Sequence, residues 1–295
     1  MKRIIMNKSD HAVVGMVSAI LIIGLIVTVI SIIQVVYVPI IMEQREAEHM
    51  DKVTEQFGSL TSVIDSQAAF AMKGIPIPTF VTLGNKELPF LVSSKAFGTL
   101  EILENARTIT ITNKSGGTPQ TFQIGIITYS SDNAYFLDQN YTYEAGGMIV
   151  SQSQGNSMIC RPGFYVSYNS VNKTVIISFD VVNISSFGQK TIAGGFGTYP
   201  IHTEFRNMST DIIYTNVSNL AITTPFSNAW SVFINRSLTD AGLNSGGYGT
   251  QFYLNQTQGQ PLKLDFIYSP SYLSKVYINF QLIDIRAQIG PGWAG

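Results

Sequence analysis

The sequence predicts an α+β protein. A long N-terminal apolar helix continues into an amphipathic stalk and then a mainly antiparallel β-sandwich-like domain with one packed helix near 225–241. Three observations carry this reading. Residues 11–42 contain no Asp, Glu, Lys or Arg. Met50, Val53, Phe57, Leu60 and Ile64 then recur at alternating three- and four-residue spacing, which is one apolar stripe on a helix. After Gly74, apolar and β-branched runs alternate with clusters of Gly, Asn, Pro and Ser, the texture of strands and turns.

Composition agrees with this division. Of 295 residues, 13% are charged, against roughly 25% in average soluble domains. Ser, Thr, Asn, Gln, Gly and Tyr fill the difference, as in many secreted β-proteins, which argues against a helical cytosolic enzyme. The net charge is −1 and the 18 basic residues are scattered, so no patch suits a nucleic-acid partner. Cys160 is the one cysteine. It excludes an internal disulfide and leaves two states, a buried thiol or a bond between chains.

The charge-free run as a helix would reach on the order of 48 Å, more than a bilayer core of roughly 30 Å requires. It is also too long for the apolar region of a cleavable secretory signal and lacks that signal's small-residue cleavage site. Lys2, Arg3 and Lys8 precede it and a mainly acidic segment, Glu43 to Glu55, follows. The expected order is therefore a cytoplasmic basic leader (1–11), a transmembrane helix (12–42), a juxtamembrane amphipathic helix (43–73) and an extracytoplasmic β-rich domain (74–295).

Gly24, Thr28 and Ser31 share one helical stripe with Gln34 beside it, and Gly15 and Ala19 form a small-xxx-small pair on another face. Small residues let helices approach closely in lipid, so the segment reads either as a monomeric anchor or as a helix that packs against copies of itself. Pro39 marks a kink or a boundary. The helical pattern extends from about residue 12 to residue 72, ended by Lys73, Gly74 and Pro76. Because the amphipathic stripe lasts only about two heptads, it is expected to pack on its own domain rather than form a coiled coil.

Strands are expected at 79–83, 98–102, 108–112, 121–129, 135–143, 148–152, 163–169, 174–182, 188–193, 202–216, 251–255, 262–268 and 275–286. Hairpin turns are expected at 113–119 and 169–173. Thr224 as N-cap, Pro225 at the first helical position and Gly242 past the end mark a helix over 225–241, whose Phe226, Trp230, Phe233, Ile234 and Leu238 should face a sheet.

Glycosylation sequons occur at Asn113, Asn140, Asn172, Asn183, Asn207, Asn216, Asn235 and Asn255, 8 of the 17 Asn after Met42. Chance predicts roughly three. The excess points to an exposed surface that bears glycans. Asn7 also fits the pattern but falls on the cytoplasmic side.

No chemistry-bearing constellation emerges. His11, His49 and His202 stand alone, and neither HExxH, CxxC nor a G-x-S-x-G elbow occurs. Asp132, Asn133, Asp138 and Asn140 lack EF-hand spacing and read as solvated loop residues rather than a calcium site. Glu144, before Ala145, Gly146 and Gly147, is equally ambiguous. The glycine-rich stretch 242–249 lacks the context of a phosphate loop. No catalytic, cofactor-binding or metal residue is assigned, and no cofactor is expected.

The basic residues followed by Asp10, His11, Ala12, Val13, Val14, Gly15, Met16 and Val17 and then a long apolar helix resemble the N-terminal region of archaeal type IV pilin-like proteins. The runs Pro89, Phe90, Leu91 to Gly98, Thr99, Leu100 and Asp138, Gln139 to Glu144, Ala145, Gly146, Gly147 also look like that group's larger members, as does the late Trp-bearing helix. The resemblance implies a membrane-anchored surface protein of a filament or its assembly and adhesion apparatus. Its partners would be the membrane and like subunits, reached through the N-terminal helix. It also implies a leader removed by a membrane peptidase, although Lys8, Ser9, Asp10 and His11 stand where such leaders carry a basic residue followed by Gly or Ala. Two further readings stand beside this one: a single-span surface receptor whose β-domain binds a ligand, and an ectoenzyme.

Overall fold

The computed structural model describes residues 8–88, 93–114, 116, 118–257 and 260–292. Helix α1 (Lys8–Ile32), a π-helical turn (Ile33–Tyr37) and helix α2 (Val38–Phe70) follow one another without a break. The π turn accommodates Pro39. A proline has no N–H and its ring crowds the carbonyl four residues back, so a wider turn relieves the clash. The Val38 N–H accordingly reaches the Ile33 carbonyl, five residues back. The helix closes at Ala71, which adopts a left-handed conformation (φ 48°), while the Met72 N–H bonds to the Gln67 carbonyl. It ends slightly before the expected Lys73 and Gly74.

The β-domain comprises β1 (Ile77–Thr82), β2 (Phe97–Asn113), β3 (Gln120–Asp132), β4 (Asn140–Glu144), β5 (Gly147–Gln152), β6 (Gly155–Cys160), β7 (Gly163–Asn169) and β8 (Thr174–Ser186). There follow β9 (Ile192–Gly195), β10 (Thr198–Met208), β11 (Ile212–Thr215), β12 (Val217–Thr223), α3 (Ser227–Asp240), β13 (Phe252–Asn255), β14 (Leu262–Phe266) and β15 (Lys275–Ile289). One sheet has the order β1-β10-β15-β8-β7, with β11 also on β15. The other runs β13-β14-β12-β2-β3-β4-β5-β6, with β9 on β2. Pairing is antiparallel except between β8 and β15. The fold is thus α+β, with the long helix first and a mainly antiparallel sandwich after it.

Several strand boundaries depart from expectation. The segments 98–102 and 108–112 are one strand, β2, whose ladder to β3 shifts between Leu103 and Arg107. Asn105 takes φ 51° there, so the gap between the two expected strands is a bulge. Conversely, 202–216 is two strands, β10 and β11. The strand expected at 135–143 starts at Asn140, and the one at 188–193 starts at Ile192. β6 and β12 were not expected. Helix α3 begins at Ser227 with Phe226 as its cap residue, not at Pro225 with Thr224. Thr224 sits two residues before that cap, where its hydroxyl accepts the Phe226 N–H at 3.1 Å. Both expected hairpin turns join consecutive antiparallel strands, β2 to β3 and β7 to β8. Residues 89–91, part of the family resemblance, lie outside the described residues, as do Lys2, Arg3 and Asn7.

Two hydrophobic cores follow one another along β2, β3, β8 and β15. The near core, on the side of α1, gathers Met50, Val53, Phe57, Leu60 and Ile64 of α2 with Leu100, Ile127, Tyr129, Tyr141, Ile184 and Ile285. The stripe read from the sequence is therefore packed on the chain's own domain, each of its five residues at most 1% exposed. The far core places Trp230, Phe233, Ile234 and Leu238 of α3 against Ile109, Phe164, Phe179, Val276 and Phe280.

Between the cores the sheets approach closely. A Cβ on Gly125 of β3 would collide with the Ile184 carbonyl of β8. The Gly125 N–H donates to Asn183 Oδ1 (2.9 Å), and the Asn183 amide donates to Asp284 Oδ1 (2.7 Å). These groups, with Arg107 and Glu144, form a polar layer between two apolar ones.

Candidate functional site

The part of the molecule that its own fold leaves uncovered is α1. Val13 to Tyr37 carry no buried residue; Leu21 is 68% exposed and Val35 73%. The helix is apolar on every side, and it is long and apolar enough to cross a membrane. Contact with the β-domain starts at Val38 and Met42, which pack with Leu88 and Tyr135. The 25 residues from Val13 to Tyr37, all exposed but half-buried Gln34, span about 38 Å at 1.5 Å each, still more than a bilayer core of roughly 30 Å.

The small-residue positions all lie within this uncovered rod. An added Cβ on Gly15 or Gly24 would meet nothing within 4 Å. The Thr28 hydroxyl donates to the Gly24 carbonyl at 2.8 Å and the Ser31 hydroxyl to the Val27 carbonyl at 2.8 Å. Both polar groups are thus satisfied inside the helix, as an apolar surrounding demands. The stripe Gly24–Thr28–Ser31 offers close approach and no free hydroxyl proton. Ala19 is likewise exposed to the outside.

The opposite end of the rod is fixed with polar precision. Glu46 is fully buried, and its carboxylate accepts the backbone N–H groups of Ala134 (3.2 Å), Tyr135 (2.7 Å) and Phe136 (2.7 Å). Three successive N–H groups converging on one anion form a strong, charge-assisted cradle. One turn on, His49 Nε2 lies 2.8 Å from the Thr82 carbonyl. A carbonyl only accepts, so Nε2 carries the proton and the neutral ring is the Nε2–H tautomer. Burial is the largest influence on His49 and holds its pKa below the ordinary 6.5; Lys52 pushes the same way, against the Thr82 bond and Glu46. Gln56 exchanges two bonds with Thr82, and Gln67 donates to the Thr203 carbonyl at 2.6 Å. Sequence reasoning missed Glu46, and the signal was present: Met42, Glu46, His49, Met50 and Val53 continue the helical spacing of the stripe, so a carboxylate and an imidazole there had to be buried.

Glu144, ambiguous in sequence, is also fully buried, between the two cores. Arg107 Nε donates to its Oε2 at 2.8 Å and Trp230 Nε1 to its Oε1 at 2.8 Å. Burial raises its pKa above the ordinary 4.5, against the pull of Arg107, Thr224 and Trp230. The group ties β2, β4 and α3 together. Asp138 accepts the Asn133 N–H at 2.7 Å, so that side chain organises a loop. Among the described residues no cluster of three or more His, Cys, Asp or Glu could hold a metal. Cys160 is partly buried, with its thiol 3.8 Å from the Met148 sulfur.

The sequon asparagines fall into two groups. Asn172, Asn207, Asn216, Asn235 and Asn255 are exposed, on turns, strand ends or the outer face of α3, while Asn113, Asn140 and Asn183 are half-buried. Asn183 has both ends of its amide engaged by Gly125 and Asp284.

These features define a class: a two-core β-domain held rigidly on one long, uncovered, apolar helix. Comparison with protein-family models, curated proteins and solved structures finds no match to this chain.

Proposed function

We propose that this chain is a membrane-anchored, surface-exposed, pilin-like structural protein, a component of a type IV pilus-like filament or of its assembly and adhesion apparatus. The observation that supports this reading is the contrast within one helix. Val13 to Tyr37 are uncovered all round and carry small residues on two faces, whereas residues from Val38 onward are clamped into the β-domain by Glu46, His49, Gln56 and Gln67. A tether needs only to cross the bilayer. A subunit that stacks helix on helix needs a rod whose rotation is fixed relative to its outer domain, because only then does each domain land in a repeating position.

In this reading the N-terminus is cytoplasmic, the β-domain faces outward, and the exposed sequon positions bear glycans. The test is to isolate the protein from native membranes, sequence its N-terminus and sediment it. A shortened N-terminus together with co-sedimentation in filaments supports the proposal. An intact Met1 on protein that sediments only as a monomer contradicts it.

A further inference from the structure

At the end of the β-domain remote from α1, the loop between α3 and β13 presents Tyr248 with 92% of its surface exposed. This end is fixed by strand direction: β1 returns toward α1 beside α2, β10 leads away, and β8 and β15 return, so the connection before β15 lies far from α1. Tyr272 of that connection packs edge-on against Tyr248, with ring centroids 5.6 Å apart.

The exposure of Tyr248 is not slack. Asn244 and Gln251 close the loop, the Asn244 N–H on the Gln251 side chain (2.9 Å) and the Gln251 N–H on the Asn244 carbonyl (2.8 Å). Within it, the Asn244 amide donates to the Tyr248 carbonyl and the Thr250 hydroxyl to the Gly247 carbonyl. The Gln251 amide fastens the loop to the Tyr272 carbonyl at 2.8 Å. Gly247 and Gly249 take φ 75° and 82°, and a Cβ on Gly249 would press on the Tyr272 ring at 3.2 Å. A loop backbone closed by so many bonds, with the Tyr272 ring set against Tyr248, is preorganised, which lowers the entropic cost of binding.

The chemistry around the ring is distinctive. Residues 241–262 contain no charged side chain and are rich in Gly, Asn, Gln, Ser, Thr and Tyr, the residue types that dominate recognition loops. A pyranose has a face of C–H bonds that stacks on an aromatic ring and a rim of hydroxyls that seeks neutral amides and hydroxyls. A protein partner would call for a wider apolar centre than the paired rings of Tyr248 and Tyr272.

We propose that loop 244–251 is a saccharide-binding site with Tyr248 as its stacking platform and a neutral oligosaccharide as its ligand. This goes beyond the proposed function: assembly would run through α1, so either idea can fail without touching the other.

The test uses the full chain in a detergent without a sugar headgroup, applied to a printed array of neutral and acidic oligosaccharides. The expected result is capture of neutral oligosaccharides that persists from about 0.1 M to about 1 M NaCl. Tyr248→Ala should weaken capture about tenfold or more, as truncation of a contact hot spot does, while Tyr248→Trp retains it. An unchanged melting temperature for Tyr248→Ala shows that folding is not the cause. Absence of capture, capture indifferent to Tyr248→Ala, or capture abolished by salt and hence due to charge, such as that of Lys173 and Lys275 flanking Ser274, would each overturn the proposal.

Discussion

The near and far cores of the β-domain solve one problem with different materials. Each is a pair of sheets closed by a helix. The far core seats α3 through aromatic packing: Phe164, Phe179, Trp230, Phe233 and Phe280 meet at centroid distances of 5.2 to 6.4 Å, and Phe122 stacks on Phe280 at 4.3 Å. The near core also has an aromatic centre, Phe57, Tyr129 and Tyr141, but there the hydroxyls of the two tyrosines have polar partners. Tyr129 donates to the Leu83 carbonyl, and Tyr141 bonds to Gln139. Around that centre Glu46, His49, Gln56 and Gln67 fasten α2 at three places, the N–H groups of 134–136, Thr82 and Thr203. Apolar burial is non-directional and holds a helix down; hydrogen bonds fix its rotation and axial position. The helix fastened in this directional way is α2, the one that continues into uncovered α1.

The comparison predicts different responses to damage. The largest effect is expected from emptying either core. Trp230→Ala should cost about 3–5 kcal/mol, as should Phe57→Ala, and Trp230→Ala also leaves one oxygen of buried Glu144 without its donor. Because β2, β3, β8 and β15 run through both cores, chemical denaturation of either variant should remain one transition. Two separated transitions would break the picture of cores joined by common strands.

Next in size is Arg107→Met, which leaves the Glu144 carboxylate buried without its cation at a cost of about 3–5 kcal/mol. The Glu144 pKa is already raised in the folded protein. Between the ordinary value of 4.5 and the folded value the native state holds the extra proton, so stability rises as pH falls through that window. The Arg107→Met deficit should therefore shrink toward acid pH in denaturant melts; a deficit constant with pH would contradict the assignment.

Glu46→Ala should cost about 2–3 kcal/mol, the scale of a charge-assisted hydrogen-bond site. Amide exchange should quicken first at residues 134–136 and along the start of α2, with the far core unaffected. Smaller still is the His49 effect, of opposite sign to that of Glu144. Its folded pKa lies below 6.5, so its contribution is complete above that pH and is lost as pH falls toward the folded value. Acidification from pH 7 should loosen the near core while relieving the burial cost of the Glu144 charge. His49→Gln should remove the near-core response, read by amide exchange at matched pH values.

Much of this was written in the sequence where periodicity is regular. The stripe Met50 to Ile64 has only one partner available, and Trp230 with its helical neighbours fills the far core as its spacing implies. The errors share a cause: local composition was overridden by contacts distant in sequence. Tyr135 and Phe136 have strand propensity, yet they lie in a loop because Glu46 draws in their N–H groups, Val38 and Met42 of α2 take the Tyr135 ring and the near core takes Phe136. Glu104 to Ala106 have the composition of a turn, yet β2 continues through them, since Arg107 must reach Glu144. β12, Val217–Thr223, was missed because Ser218 and Asn219 interrupt its apolar run, though β2 and β14 pair it on both sides. The buried carboxylates were the least legible, because nothing local distinguishes Glu46 or Glu144 from a solvated neighbour except position on an apolar stripe or before a turn.

The proposed function requires α1 to pack against other helices in fixed orientation. The most direct measurement is cysteine cross-linking in native membranes, with Cys160→Ser as background and single cysteines introduced as Ala19→Cys, Thr28→Cys and Leu25→Cys. The expected result is efficient cross-linking into a ladder from the small-residue positions 19 and 28 and little from position 25, between those faces. Uncross-linked monomer at all three positions, or equal reaction at each, would contradict it.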